Sequence, residues 1–186
     1  MSHPESTEFY PIPAAVSIVG GALAVDGARR IDTPLGIAEV AVGRSLDLLD
    51  GPVARALGQT SELGAALDAA TDKLAGLALL TAEWRKDIAP RSALLAIGAQ
   101  NLANGVATFV AQRRHPDEEL RPSVDGKRAM FSQNVALGAY AVSHALAESQ
   151  PRAARALRSL GHVATAVGVG YYGLRATAGY VRRAAA

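Results

Sequence analysis

Within residues 47–72, acidic side chains recur at spacings of three and four residues, together with one arginine and several small residues. The fixed positions are Asp47, Asp50, Gly51, Ala54, Arg55, Gly64, Asp68 and Asp72. On a helix, residues three and four apart are surface neighbours, so the first five share one face and the last three share another. If the two faces meet, they gather four carboxylates and a guanidinium, with glycines that leave space for a ligand.

Converging carboxylates need counter-charge, because like charges repel and are costly to remove from water. Divalent cations supply it, and ligands made only of hard oxygen atoms favour Mg²⁺ or Mn²⁺. Two such ions stabilise both the attacking and the leaving oxygen of a displacement at phosphorus. The alternative interpretation is a solvated helix with intrahelical ion pairs. It explains little, because neither Asp47 nor Asp50 has a basic residue four positions later.

The pattern Asp-x2-Asp-Gly-x2-Ala-Arg-x8-Gly-x3-Asp-x3-Asp resembles the signature of the CDP-alcohol phosphatidyltransferases at every fixed position. The resemblance implies ligands for two Mg²⁺ or Mn²⁺ ions, namely Asp47, Asp50, Asp68 and Asp72. Asp72 would also take the proton of the acceptor hydroxyl. The resemblance further implies a set of residues that receives the cytidine diphosphate part of a CDP-linked lipid, namely Gly51, Ala54, Arg55 and Gly64. A planar guanidinium such as that of Arg55 is well suited to phosphate.

A second and weaker resemblance lies in the segment SVDGKRAMFSQ, residues 123–133. It is similar to the Ser-x-x-Gly-Lys segment, followed by Gln, that precedes the fifth helix in phosphatidylglycerophosphate synthases. It implies that Lys127 and Arg128 bind a phosphorylated acceptor, with glycerol 3-phosphate expected first and inositol phosphate next. The arginine–glutamate pair of that group is missing, with Gln100 and Asn101 at the nearest positions. Lys127 and Arg128 are equally explained as basic residues that flank a membrane helix.

The composition allows one domain of about six helices, since the chain has 186 residues. Hydrophobic residues make up 49% and charged residues 19%, and the mean hydropathy is +0.13, which leaves a membrane bundle and a soluble helical protein both open. The absence of cysteine excludes disulfides and thiol catalysis. A net charge of +2 gives no indication of a nucleic-acid partner.

The pattern of apolar runs and prolines predicts helices over residues 13–28, 34–58, 61–85, 90–112, 127–148 and 152–182. Pro34, Pro90 and Pro151 stand at or just before helix starts, where proline is tolerated. Pro52 predicts either a kink beside a site cavity or a helix that starts again at that residue. We expect a single domain over residues 1–186, with a polar lead-in over 1–12.

The resemblance thus favours an all-α integral-membrane bundle of about six transmembrane helices, multi-pass in the cell membrane, with its site facing the cytoplasm. The expected substrates are CDP-diacylglycerol and a small polar alcohol, and a homodimer is possible. Basic residues are divided evenly between the two sides, so the orientation comes from the resemblance alone. The alternatives are a soluble helical enzyme that uses aspartates and Mg²⁺ on a diphosphate, and a degenerate member of the family that serves as a membrane scaffold.

Overall fold

In a computed structural model, the protein is all-helical over the residues described, which are 11–59, 61–115 and 123–185. Within these ranges the structure does not describe the side chains of residues 11–13, 48, 50, 55, 62, 63, 65, 66 and 69. The helices are α1 (Pro11–Arg29), α2 (Pro34–Ala56), α3 (Glu62–Arg85), α4 (Arg91–Arg114), α5 (Val124–Ala145), α6 (Pro151–Thr165), a π-helical segment (Ala166–Gly173) and α7 (Leu174–Ala185). The last three follow one another without a break, so the described chain forms six helical runs, as predicted.

The helix starts agree with the sequence within two residues, except that of α5, which begins three residues earlier than predicted. Pro34 and Pro151 are the first residues of α2 and α6. α2 runs through Pro52 in one piece, so the prediction of a helix that starts again there is wrong. α5 begins at Val124 rather than at Lys127, because Ser123 caps the helix. The Ser123 hydroxyl accepts a hydrogen bond from the backbone nitrogen of Gly126 at 3.0 Å.

The chain divides into two compact units, residues 1–86 and 87–186, and the single domain expected above stays a prediction. In the first unit, α1 packs against both α2 and α3. The approach of α1 to α2 depends on glycine: a Cβ at Gly27 would lie 2.6 Å from the carbonyl oxygen of Gly36. A Cβ at Gly43 would lie 2.5 Å from the carbonyl oxygen of Gly20. α1 therefore holds both helices that carry the aspartate pattern.

In the second unit, α5 packs against α6 and the π-helical segment, and α4 packs against α7. The fully buried Tyr140 of α5 lies against Gly161 of α6, where a Cβ would stand 2.6 Å from its ring. The Tyr140 hydroxyl is 3.2 Å from Nδ1 of His162 and 3.3 Å from Oγ1 of Thr165. A small residue facing a large one thus fixes the contact between α5 and α6.

The apolar residues are distributed with alanines inside and larger side chains outside. Alanine predominates among the buried apolar residues of the described chain. Several large apolar side chains are more than 60% exposed: Leu74, Leu77, Leu95, Leu102, Phe131 and Leu174. Among the described helices, α4 is the one that is long and apolar enough, by length and composition, to cross a membrane. Small residues inside and large ones outside are typical of helices that pack within a lipid bilayer.

Candidate active site

The two halves of the aspartate pattern meet across α2 and α3. Nη1 of Arg44 on α2 donates a hydrogen bond to Oδ1 of Asp72 on α3 at 2.5 Å. The same nitrogen lies 3.6 Å from Oδ2 of Asp47, one turn further along α2. The side chains of Arg44 and Asp47 are each 17% exposed and that of Asp72 is 26% exposed. One carboxylate from each half of the pattern therefore converges on a single, mostly buried guanidinium.

Arg44 was missed in the sequence, although a signal for it is present. It lies three residues before Asp47, a spacing that places both on one helix face. The signal lies before the aspartate in the sequence, whereas the ion-pair interpretation above considers only the residues that follow Asp47 and Asp50. Its second partner, Asp72, is separated from it by 28 residues, so no local pattern indicates that contact.

Asp68 lies one turn before Asp72 on α3 and is half-buried. The turn between them is fixed by Thr71, whose hydroxyl donates to the carbonyl oxygens of Leu67 at 3.0 Å and Asp68 at 2.9 Å. Gly21 of α1 faces this threonine, with a Cβ position 3.1 Å from Cβ of Thr71. α1 thus packs against the turn of α3 that carries Asp68 and Asp72.

The residues predicted to receive the nucleotide lie along the end of α2 and the beginning of α3. Gly51 and Ala54 are half-buried on α2. Gly64 belongs to the first turn of α3, where its backbone nitrogen donates to the Ser61 hydroxyl at 3.1 Å. Between the two helices, Gly58 has a φ of +64°, a conformation that glycine adopts without steric cost. The side chains of Asp50 and Arg55 lie outside the described residues.

The described donor set fits a hard divalent cation in its chemistry. Asp47 and Asp72 offer carboxylate oxygens from two facing helices, the ligand type that Mg²⁺ and Mn²⁺ prefer. Among the side chains described, which do not include that of Asp50, no three acidic or histidine residues lie close enough to enclose an ion. Asp47 and Asp72 could therefore supply two of the ligands of a metal site, and Asp68 lies one helical turn from Asp72.

Lys127 and Arg128 lie together in the second unit, at the beginning of α5. Both line a cavity of about 420 Å³, whose other walls are Val124, Phe131, Ser132 and Tyr172. The Arg128 guanidinium carbon lies 5.6 Å from the centre of the Tyr172 ring, within the range of a cation–π contact. The cavity combines two cations with apolar walls, so it suits an anionic group attached to a less polar body.

A buried pair of amides lies further along α5. Nε2 of Gln133 donates to Oε1 of Gln100 on α4 at 2.7 Å, and both side chains are buried. Gly173, the last residue of the π-helical segment, leaves room for this pair: a Cβ there would lie 2.7 Å from Cδ of Gln100. Gln133 of the 123–133 segment thus pairs with Gln100, which stands at one of the positions nearest to the missing arginine–glutamate pair.

Comparison with known proteins places these residues in a family. The sequence model of the CDP-alcohol phosphatidyltransferases matches residues 13–170, which include every position of the aspartate pattern and most of the helical chain. No curated protein and no solved structure gave a significant match. The match spans well over half of the sequence, and it contains the two helices whose carboxylates meet at Arg44. The chain therefore belongs to the CDP-alcohol phosphatidyltransferase family.

Proposed function

We propose that the protein is a multi-pass membrane enzyme that transfers the phosphatidyl group of CDP-diacylglycerol to a polar alcohol and releases CMP. Membership of the family supports transfer from a CDP-alcohol to a second alcohol, and divalent-metal dependence is general in the family. The observation that carries the proposal is the meeting of Asp47 and Asp72 from α2 and α3 at one guanidinium. A functional site requires side chains from both halves of the pattern to lie near each other, and the shared contact of Asp47 and Asp72 with Arg44 supports this arrangement.

In the proposed reaction, the acceptor hydroxyl oxygen forms a bond to the phosphorus of the phosphatidyl group. The bond from that phosphorus to the oxygen of CMP breaks, and CMP leaves with the bonding electrons. Asp72 accepts the hydroxyl proton, and Asp47, Asp50, Asp68 and Asp72 are proposed to hold two Mg²⁺ or Mn²⁺ ions. Bound there, such ions supply positive charge to the phosphate oxygens. Gly51, Ala54 and Gly64 provide space for the nucleotide, and Arg55 is proposed to pair with its diphosphate.

The distribution of apolar side chains supports placement in a membrane. Large apolar residues in water favour the interior of a protein, whereas here many are exposed and alanines fill the buried positions. Within a bilayer this arrangement is favourable, since lipid covers the large side chains and small residues allow close helix packing. Among the described helices, α4 meets the length and composition criterion for a membrane span. The cytoplasmic orientation and the homodimer stay predictions.

The cavity at the beginning of α5 supports a phosphorylated acceptor, for which glycerol 3-phosphate is proposed first and inositol phosphate second. Lys127 and Arg128 both line it, and Tyr172 lies beside Arg128. A charge-assisted hydrogen bond to phosphate contributes about 1.5–3 kcal/mol, which is enough to select a phosphorylated alcohol over a neutral one. The 123–133 segment is the part of the sequence on which this choice of acceptor rests.

The test is to supply CDP-diacylglycerol and radiolabelled candidate alcohols to the purified protein in detergent micelles. We expect CMP release and one labelled phospholipid in the presence of Mg²⁺ or Mn²⁺, and neither product in excess EDTA. The D72N variant is the matched negative control. CMP release that does not depend on a divalent ion would contradict the proposed site. Failure to release CMP with any acceptor would favour a membrane scaffold over an enzyme.

A further inference from the structure

Arg44 is the residue at which the two halves of the aspartate pattern are joined. Its Nη1 lies 2.5 Å from Oδ1 of Asp72 and 3.6 Å from Oδ2 of Asp47. All three side chains are mostly buried, with 17%, 26% and 17% exposure for Arg44, Asp72 and Asp47. In such surroundings water screens charges less than at the surface, so the guanidinium offsets part of the repulsion between the carboxylates.

We propose that Arg44 is a tethered counter-cation that competes with divalent ions for Asp72 and Asp47 and releases Asp72 as the ions bind. An oxygen that accepts a short hydrogen bond from a guanidinium has to give up that bond to ligate an ion in the same direction. The protein's own cation and the divalent ion therefore draw on the same carboxylates. The inference rests on the proposed function, because it takes Asp47 and Asp72 as metal ligands.

Competition has a consequence that a purely structural role of Arg44 does not share. If the guanidinium competes, its removal tightens metal binding, because an ion no longer has to displace it. The same removal destabilises the protein without metal, because the two carboxylates lose the positive charge of the guanidinium that offsets their repulsion. If Arg44 instead shapes the site, its removal weakens metal binding. The two roles thus predict changes of opposite sign in one measured affinity.

Arg30 provides a matched control within the same unit. It also lies between two carboxylates and also joins two helices, since it pairs with Asp26 on α1 and reaches Oε1 of Glu39 on α2 at 3.0 Å. It lies just beyond the end of α1, and neither of its partners belongs to the proposed metal site. The R30Q variant removes an interhelical ion pair of the same kind, so we expect lower stability to an equal extent with and without metal.

The experiment measures Mn²⁺ binding to the full-length protein in detergent micelles, with the electron paramagnetic resonance signal of free aqueous Mn²⁺ as the readout. The unfolding midpoint is recorded in EDTA and in saturating Mn²⁺. For R44Q we expect the apparent dissociation constant to fall about ten-fold, which corresponds to ~1.4 kcal/mol. We expect its midpoint to fall in EDTA and to recover in Mn²⁺. The R30Q variant should leave the isotherm unchanged.

Binding to R44Q that is equal to or weaker than binding to the wild type would overturn the inference and leave the proposed function standing. A wild-type protein that binds no Mn²⁺ would overturn both the inference and the proposed metal site. If R44Q does not fold in EDTA, R44K takes its place, since lysine keeps the charge but lacks the planar fork of donors. A modest gain in Mn²⁺ affinity is then expected, and a loss would contradict competition.

Discussion

Gly20 and Gly21, neighbours on α1, face the two different helices of the aspartate pattern. A Cβ at Gly20 would lie 3.0 Å from the carbonyl oxygen of Gly43 and 3.6 Å from the backbone nitrogen of Asp47, both on α2. A Cβ at Gly21 would lie 3.1 Å from Cβ of Thr71 on α3, the residue immediately before Asp72. Two adjacent small residues therefore set how closely α1 approaches each half of the site.

We expect G21V to displace the turn that carries Asp68 and Asp72, because its side chain would overlap that of Thr71. Overpacking of this kind costs about 1–3 kcal/mol in stability. The unfolding midpoint and the rate of CMP release should both fall. The control is G76V on α3, where an added Cβ meets no described atom within 4 Å. Equal losses in the two variants would show that the effect comes from the change of a helical glycine and not from contact with Thr71.

Local signals were sufficient to predict most of the helices. Proline at a first turn marks the starts of α2 and α6, and both starts agree with the structure. The beginning of α5 was placed too late because the capping hydroxyl of Ser123 was not recognised as the start signal. The π-helical segment was not predicted, because Gly168 and Gly173 there pack against residues of other helices.

The sequence predicts the part of the candidate site whose residues are related by helical spacing, and not the contacts that join different helices. The spacing of Asp47, Asp68 and Asp72 places each on a helix face, whereas the contact of Arg44 with Asp72 depends on how α2 and α3 are held by α1. The close pairing of Gly27 with Gly36 across α1 and α2 likewise joins residues that no helical period relates. Contacts of this kind arise from tertiary packing, and a single sequence does not disclose them.

We expect D47N, D68N and D72N each to reduce CMP release to less than a tenth of the wild-type rate while the protein still inserts in the membrane. Each change removes a proposed metal ligand or the proposed base, and a neutral amide is less costly to bury than a carboxylate. A ten-fold loss corresponds to about 1.4 kcal/mol of barrier, which is less than such a group should contribute.

The matched control for these aspartates is D87N. Asp87 is 70% exposed, pairs with Arg91 at 3.0 Å, and has a φ of +51°, a conformation that asparagine also tolerates. We expect its activity to equal that of the wild type. Retention of more than a tenth of wild-type activity by all three site variants would contradict the assignment of Asp47, Asp68 and Asp72.

Neutralising the basic cavity at the beginning of α5 should affect the acceptor selectively. For the double variant K127Q/R128Q we expect the Michaelis constant for glycerol 3-phosphate to rise at least about ten-fold, since a charge-assisted contact to phosphate is lost. The constant for CDP-diacylglycerol should change little. The control variant R152Q/R158Q removes two exposed arginines from α6 and should alter neither constant. Equal impairment with phosphorylated and unphosphorylated alcohols would indicate a role for residues 127 and 128 in folding or insertion.

The absence of native cysteine allows a direct test of membrane orientation, because each introduced thiol is the only one in the chain. L57C places a thiol in the turn after α2, and E148C places one in the turn between α5 and α6. If all six helical runs cross the membrane and the site faces the cytoplasm, these turns lie on opposite sides. A maleimide that does not cross membranes should then label E148C in intact cells and L57C only after permeabilisation, with the unmodified protein as the unlabelled control. The reverse pattern would place the site outside the cytoplasm. A soluble protein would instead remain in the supernatant after ultracentrifugation, and both thiols would be labelled only after lysis. That result would overturn the membrane proposal and favour the soluble helical enzyme.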